Sequence, residues 1–172
     1  MEESSKISPG EVEVKEMSSY YGLQEFDCGD EDLNEFLKSD SLVYKQQLIA
    51  KTFIVIYQEK IVAFFSVMND AIKLNLQETK QTRQLSRLHE YPSLKIGRLG
   101  VDKRFERRGL GALCIKFVMG LSTNINSVSA CRFITVDSYL ESRGFYEKLG
   151  FVRNLMYEKK RDFVSMRLDL LE

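Results

Sequence analysis

The sequence predicts a single mixed α/β domain, and three observations support that prediction. At 172 residues the chain is long enough to bury one well-filled core and short for two domains. A hydrophobic fraction of 44% with 29% charged residues is typical of a globular protein. Along the chain the apolar residues switch several times between the period of a strand and the period of a helix, and no internal repeat or linker separates them.

The first half of the chain predicts one strand, a helical region and a hairpin. "EVEVKEM" (11–17) alternates apolar and polar residues, which indicates a strand. Residues 31–50 have helical spacing after Asp30, a suitable N-cap, and Ser39, Asp40 and Ser41 are expected to break this helix in two. Residues 51–69 contain two β-rich runs on either side of a polar turn, and they therefore predict a hairpin.

The middle of the chain predicts an insertion followed by a strand, a helix and a strand. Residues 70–93 are polar, and we expect a partly helical insertion that ends at Pro92. "LKIGRLGV" (94–101) indicates a buried strand, and "LGALCIKFVMGLS" (110–122) indicates an amphipathic helix. "CRFITVD" (131–137) indicates a second buried strand.

The last third predicts a helix and two final strands. "LESRGFYEKL" (140–149) is helical in pattern, and Gly150 is suited to end that helix in a left-handed conformation. "FVRNLMYEK" (151–159) and "DFVSMRLDLL" (162–171) alternate around a charged turn and predict two strands. Residues 1–10 are expected to form a flexible N-terminal segment, so the predicted domain spans residues 11–171.

One segment predicts a binding site for an anion. "RFERRGLGALCIKF" (104–117) places two arginines and two glycines where a helix begins: Arg107, Arg108, Gly109 and Gly111. Free N–H groups and the helix dipole attract anions at a helix start, and glycine lets a phosphate approach the backbone. A solvated loop followed by a permissive turn remains the alternative. The segment matches neither a P-loop nor a dinucleotide-binding fingerprint.

The charge distribution is uneven although the net charge is zero. Residues 1–40 hold twelve acidic and three basic side chains, whereas residues 73–108 hold ten basic and four acidic ones. Such asymmetry favours an anionic ligand near the second stretch, and the neutral total argues against a general coat of nucleic acid. Two solvated faces of opposite sign are the alternative interpretation.

Several classes of protein are disfavoured by composition. Cys28, Cys114 and Cys131 form no paired motif, which argues against a disulfide framework or a zinc site, and no metal is expected. His89 is the single histidine and thus the one candidate base for a Ser-His or Cys-His pair. The N-terminus is acidic, and no apolar run approaches the ~20 residues that span a bilayer. We therefore expect a cytoplasmic protein that does not contact a membrane.

Two motifs together carry a family resemblance. "GRLGVDKRFERRGLGALC" is followed, after a separation typical of the family, by "SRGFYEKLGF". In this order they resemble the GNAT superfamily of acetyl-CoA-dependent N-acetyltransferases over essentially residues 11–171. The resemblance implies a single GNAT-type domain, with a central mixed sheet of about six to seven strands flanked by about four helices. It also implies an enzyme that uses acetyl-CoA as cosubstrate.

The resemblance also assigns site residues. The strand residues Leu99, Gly100 and Val101 would lie along the pantetheine arm, and the backbone of Leu99 and Val101 would bond to it. The pyrophosphate would bind backbone N–H groups of Arg107, Arg108, Gly109, Leu110, Gly111 and Ala112. Ser142 and Tyr146 complete the cofactor set. Tyr146 matches the tyrosine that protonates the departing thiolate, and a core aromatic is the alternative for it.

The proton acceptor and the acetyl acceptor are less constrained. Asp70 and Asp137 lie at the ends of predicted strands, and either could serve as the base. A turn or cap role is the alternative for each, so neither is assigned.

We expect direct attack by a primary amine of a small molecule or protein. Because "FDCGDEDLNEFLKSDSL" resembles GNAT toxins that acetylate aminoacyl-tRNA, tRNA is the alternative acceptor. A non-catalytic CoA-binding sensor or partner module is an alternative of another class. A monomer or a homodimer is expected.

Overall fold

A computed structural model describes residues 5–20, 22–81, 90–157 and 162–171. Its strands are β1 (Val12–Glu16), β2 (Lys51–Tyr57), β3 (Lys60–Ile72), β4 (Tyr91–Val101), β5 (Phe133–Tyr139), β6 (Val152–Arg153) and β7 (Phe163–Asp169). Its α-helices are α1 (Glu31–Glu35), α2 (Ser41–Gln46), α3 (Leu76–Gln81), α4 (Leu110–Ile125) and α5 (Arg143–Lys148). The strands follow the order β1-β2-β3-β4-β5-β7-β6 in a seven-stranded sheet. The predicted mixed α/β fold is confirmed.

Contacts between residues divide the chain into two compact units. The first unit comprises residues 1–68 and 97–118, and the second comprises residues 69–96 and 119–172. Strands β3 and β4 and helix α4 each contribute residues to both units.

The first unit is built on the antiparallel strands β1, β2 and most of β3. One face of this sheet is covered by an apolar cluster: Met17, Leu23, Phe26, Phe36, Leu37, Ile54 and Phe64. Asp30 caps α1 as predicted, since its Oδ1 accepts a bond from the Leu33 N–H at 3.1 Å. The break expected at 39–41 is a π-helical turn, Phe36–Asp40. It keeps Phe36 and Leu37 buried while the chain continues into α2.

The second unit is organised around β5. This strand pairs in parallel with β4 over Ser93–Ile96 and in antiparallel register with β7 along its whole length. A buried ion pair joins α3 to β7, with Arg167 Nη1 2.7 Å from Glu78 Oε1. Gly150 has φ +90° and follows Leu149, the C-cap of α5, which agrees with its predicted role at the helix end.

Two predicted boundaries are wrong. The strand expected over 151–159 is only two residues long, because Asn154 turns the chain: its N–H donates to Ser165 O, and its own O accepts from Tyr157 N. The last residues of that expected strand, 158 and 159, lie outside the described residues. Pro92 does not end the insertion but lies inside β4, where its carbonyl accepts a 2.8 Å bond from Arg132 N–H. A proline lacks only the donor, so it fits a strand position that needs the acceptor alone.

Candidate active site

Two glycines of β4 pack closely against β3. A Cβ at Gly97 would lie 2.8 Å from Met68 Cε, and a Cβ at Gly100 would lie 2.7 Å from Phe64 Cε1. Residues three apart point to opposite faces of a regular strand, yet Phe64 and Met68 share one face of β3. We infer from these contacts a bulge in β4 between the two glycines, in the segment that contains Leu99. Such bulges leave a residue outside the ladder of hydrogen bonds.

Strand β4 is followed by Asp102, whose side chain is fully buried. Its Oδ1 accepts bonds from the N–H and the Nε of Arg104, both at 2.9 Å. Its Oδ2 accepts from Arg104 Nη2 at 2.9 Å and from the Asp27 N–H at 3.3 Å. Burial alone would raise the pKa of this carboxyl, but the donors from Arg104 and Asp27 outweigh it and hold the pKa below its ordinary value.

Asp27 holds the same loop from the other side. Its carbonyl accepts the Lys103 N–H at 2.9 Å, and its carboxylate forms an ion pair with the Lys103 ammonium. The carboxylate also accepts bonds from Gly29 N–H and Asn34 Nδ2. The Lys103 ammonium, followed by these donors, holds the pKa of Asp27 well below its usual range. The loop after β4 is thus tied to the segment that leads into α1.

The loop enters α4 through two residues in the left-handed region, Arg107 (φ +60°) and Gly109 (φ +86°). The first intrahelical bond of α4 runs from Leu113 N–H to Gly109 O at 3.1 Å. The three preceding N–H groups, of Leu110, Gly111 and Ala112, have no acceptor one turn earlier in the helix. A Cβ on Gly109 would meet no atom within 4 Å, so the space beside this turn is open. They are three of the six N–H groups, from Arg107 to Ala112, that the family resemblance assigns to the pyrophosphate.

The two arginines of the loop differ in what surrounds them. The guanidinium of Arg108 lies over the rings of Tyr57 and Phe105, and its Nε donates to Ser5 O at 3.0 Å. The Arg108 carbonyl accepts from the N–H of Ile7, a buried residue. The side chain of Arg107 is exposed. Arg107 therefore has the side chain that is better placed to reach an anion, while Arg108 braces the loop.

Ser5 and Ile7 belong to the segment 1–10 that the sequence places ahead of the domain. That division of the chain, with a domain over 11–171, stays a prediction.

The two site residues predicted from the second motif lie in the second unit. Tyr146 is buried in α5, and its ring makes edge contacts with Phe145 at 4.9 Å and Phe151 at 5.3 Å between centroids. Ser142 is exposed just before α5, and its carbonyl accepts the N–H groups of Phe145 and Tyr146. The aromatic contacts fix the ring plane of Tyr146, which both a catalytic and a packing role require.

The two carboxylates considered as bases have partners in the second unit. Asp70 Oδ2 accepts a bond from Thr135 Oγ1 at 2.9 Å. Asp137 pairs with the Lys95 ammonium at 3.0 Å. These contacts give both residues a structural role on neighbouring strands.

Sequence inspection missed the anchor formed by Asp27 and Asp102. The local signal is an aspartate directly after a buried strand and before Lys-Arg, but its partner lies 75 residues earlier. Among the described residues, no group of three or more His, Cys, Asp or Glu side chains is arranged to hold a metal. In the same ranges no helix has the length and apolar character needed to cross a bilayer.

Residues 24–170 match the family model of the acetyltransferase (GNAT) domain. The chain belongs to the GNAT acetyltransferase family. The family and the N-acetyltransferase class that the two motifs predicted are therefore confirmed. The residues assigned to this GNAT site remain predictions.

Solved GNAT structures share this fold. A tyrosine-to-phenylalanine mutant of KacT aligns with a TM-score of 0.82 at 18% identity, over 94% of this chain and 96% of that one. AtaT complexed with acetyl-methionyl-tRNAfMet aligns with a TM-score of 0.79 at 19% identity, over 92% and 94% of the two chains. A mutant AtaT toxin, bound to the C-terminus of the antitoxin AtaR and to acetyl-CoA, gives 0.74 at 18% identity, over 94% of each chain.

Proposed function

We propose that this GNAT domain transfers the acetyl group of acetyl-CoA to the α-amino group of an aminoacyl-tRNA. The observation that supports acetyl-CoA as the acetyl donor is the start of α4. There an open left-handed turn precedes three N–H groups without intrahelical acceptors. The acceptor is favoured by the likeness to AtaT, whose structure was solved with acetyl-methionyl-tRNAfMet. That likeness gives the tRNA alternative more weight than a small-molecule or protein amine.

Acetyl-CoA would bind along the end of β4 and the start of α4. The N–H groups of Leu110, Gly111 and Ala112 would donate to the pyrophosphate, and the helix dipole adds to the attraction. Arg107 would add a forked cation at the same place. The irregular part of β4 supports a role for the backbone of Leu99 and Val101 in bonding the pantetheine amides, as an added strand does.

The chemical step would be direct attack on the thioester. The amine nitrogen forms a bond to the acetyl carbon, the carbon–sulfur bond breaks, and the CoA thiolate leaves. The nitrogen loses a proton to water and the thiolate gains one, so the products are an N-acetyl group and free CoA. Tyr146 is proposed to give the thiolate its proton, because a phenol's ordinary pKa of about 10 is close to that of a thiol.

The test is transfer of labelled acetyl from acetyl-CoA to methionyl-tRNA by the wild type and by Tyr146→Phe. The variant keeps the ring packed between Phe145 and Phe151 but removes the proton. We expect kcat to fall about 100-fold while the Kd for acetyl-CoA stays the same. Tyr20→Phe, which loses only an exposed bond to Ser39 O, is the matched control.

Three results would contradict parts of this proposal. An unchanged kcat in Tyr146→Phe would leave that residue with a packing role only. A wild type that does not acetylate aminoacyl-tRNA but acetylates amines from a panel of small molecules and peptides would show that the acceptor is a small-molecule or protein amine. A wild type that binds acetyl-CoA and acetylates neither would support the non-catalytic alternative.

A further inference from the structure

An arginine stands directly before the proposed pantetheine contact at Leu99. The guanidinium of Arg98 lies over the Phe36 ring, with its carbon 5.2 Å from the ring centroid. Its Nη1 donates to Gly97 O at 3.0 Å, which uses one of five N–H donors. Its Nε is buried without a hydrogen-bond partner among the described residues. Arg98 is therefore oriented by stacking, and most of its donors bond to none of the described residues.

A carboxylate faces this arginine without bonding to it. Asp32 lies in the first turn of α1, and its Oδ2 is 4.0 Å from Arg98 Nε. A charge-assisted hydrogen bond is about 2.7–2.9 Å long, so this pair is too far apart for one. The side chains are 36% exposed for Arg98 and 72% exposed for Asp32. A cation and an anion are thus held close together, with donors and acceptors that no other described residue occupies.

We propose that Arg98 and Asp32 recognise the α-aminoacyl group of the acceptor. The guanidinium donates to the carbonyl oxygen of the acyl group, and the carboxylate accepts from its ammonium. In an α-aminoacyl group these two atoms are three bonds apart, which suits a cation and an anion separated by one short gap. The assignment rests on the proposed function, because it names the residues that select that acceptor.

The chemistry of arginine favours this role over a purely structural one. A planar fork of donors binds a carbonyl or carboxylate oxygen in a defined direction, which a lysine does not. A buried donor that lacks an acceptor costs stability, and a pair kept for stability would close the gap between its two members. Because Arg98 and Leu99 are adjacent on β4, an acyl group at Arg98 would lie beside the proposed path of the cofactor.

The experiment measures CoA release with three acceptors: methionyl-tRNA, methionine methyl ester, and 3-(methylthio)propylamine, which lacks the carbonyl. With kcat/KM calculated for the unprotonated amine, since the ester is the weaker base, the wild type is expected to prefer the ester over the carbonyl-free amine at least about tenfold. A site built to bond an oxygen rejects an analogue without it. Arg98→Gln should lower kcat/KM for the ester and the tRNA about tenfold or more. The same variant should leave kcat/KM for the carbonyl-free amine and the Kd for acetyl-CoA unchanged. Lys15→Gln, which removes an exposed cation of β1, is the control.

A second variant and three further outcomes keep the assignment testable. Asp32→Asn should raise KM for the ester and leave the Kd for acetyl-CoA unchanged. Equal kcat/KM for ester and carbonyl-free amine in the wild type overturns the inference even if Arg98→Gln fails to fold. Acetylation of methionyl-tRNA without acetylation of the ester also overturns it, because recognition then does not begin at the acyl group. A wild type that does not bind acetyl-CoA would instead refute the proposed function.

Discussion

Gly109 has a backbone conformation that few other residues adopt. Its φ of +86° lies in the left-handed region, and it accepts the first intrahelical bond of α4. A side chain here would enter open space rather than the protein core. A substitution at this residue therefore has two effects. It strains the backbone by about 1–2 kcal/mol, and it places a side chain in the space beside the helix start.

Gly109→Glu is expected to abolish acetyl-CoA binding while the domain stays folded. The substitution places a negative charge where the N–H groups of α4 would meet a pyrophosphate. Isothermal calorimetry should show a Kd raised at least about 30-fold, because a charge-assisted contact is worth about 1.5–3 kcal/mol. Gly120→Glu is the matched control: it adds the same side chain to the same helix, also into open space. A Kd for Gly109→Glu within about threefold of wild type would show that the pyrophosphate does not bind at this turn.

At the scale of elements, the loop between β4 and α4 is held by two carboxylates in addition to the ring contacts of Phe105 and Arg108 with Tyr57. Asp102 bonds the backbone and side chain of Arg104, and Asp27 bonds the backbone and side chain of Lys103. Both carboxyls have pKa values below their ordinary ones. The contribution of such groups to stability is present above the unfolded-state pKa, near 4, and is lost as pH falls toward the folded-state value.

Asp102→Asn should lower stability at neutral pH and flatten its dependence on pH. The amide keeps the size of the side chain but loses the charge that Arg104 and the Asp27 N–H bond, at a cost of about 1–3 kcal/mol. Urea unfolding at pH 7 and at intervals down to about pH 3 should show a smaller loss on acidification than in wild type. Asp40→Asn, at an exposed residue, is the control. Equal pH slopes for wild type and Asp102→Asn would show that the buried carboxylate is not the group that titrates.

At the scale of the whole molecule, the sequence predicts local conformation better than it predicts distant contacts. Asp30, Gly109 and Gly150 were interpretable because a cap or a helix end has a signature within a few residues. The contact between Asp27 and Asp102 joins residues 75 positions apart, and no pattern along the chain reports it. Strand β6 was overestimated because alternation continues through Asn154, although its hydrogen bonds turn the chain. The motif that contains Tyr146 indicated the family. The role of Tyr146 in proton transfer is a question of reactivity, and the kcat of Tyr146→Phe tests it.

The charge pattern of the chain leads to a prediction about tRNA. An aminoacyl-tRNA acceptor requires cations that contact phosphates, and residues 73–108 carry ten basic side chains. Lys80, Arg83 and Arg87 lie in the polar insertion, and the last two are outside the described residues. Replacing all three with glutamine should weaken tRNA binding by about 1–3 kcal/mol. It should also reduce the slope of log K against log salt by roughly two to three units, because about three counterions fewer are released.

The matched control replaces Lys6, Lys15 and Lys38, the three cations among the acidic first forty residues, with glutamine. Both triple variants lower the net charge by three, so a general effect of charge would weaken tRNA binding equally in both. A loss confined to the first variant, with acetyl-CoA affinity unchanged in each, would locate the tRNA contact in the insertion. Equal salt slopes in wild type and both variants would instead favour a small amine as the acceptor, because tRNA would then bind this neutral protein without a defined basic surface.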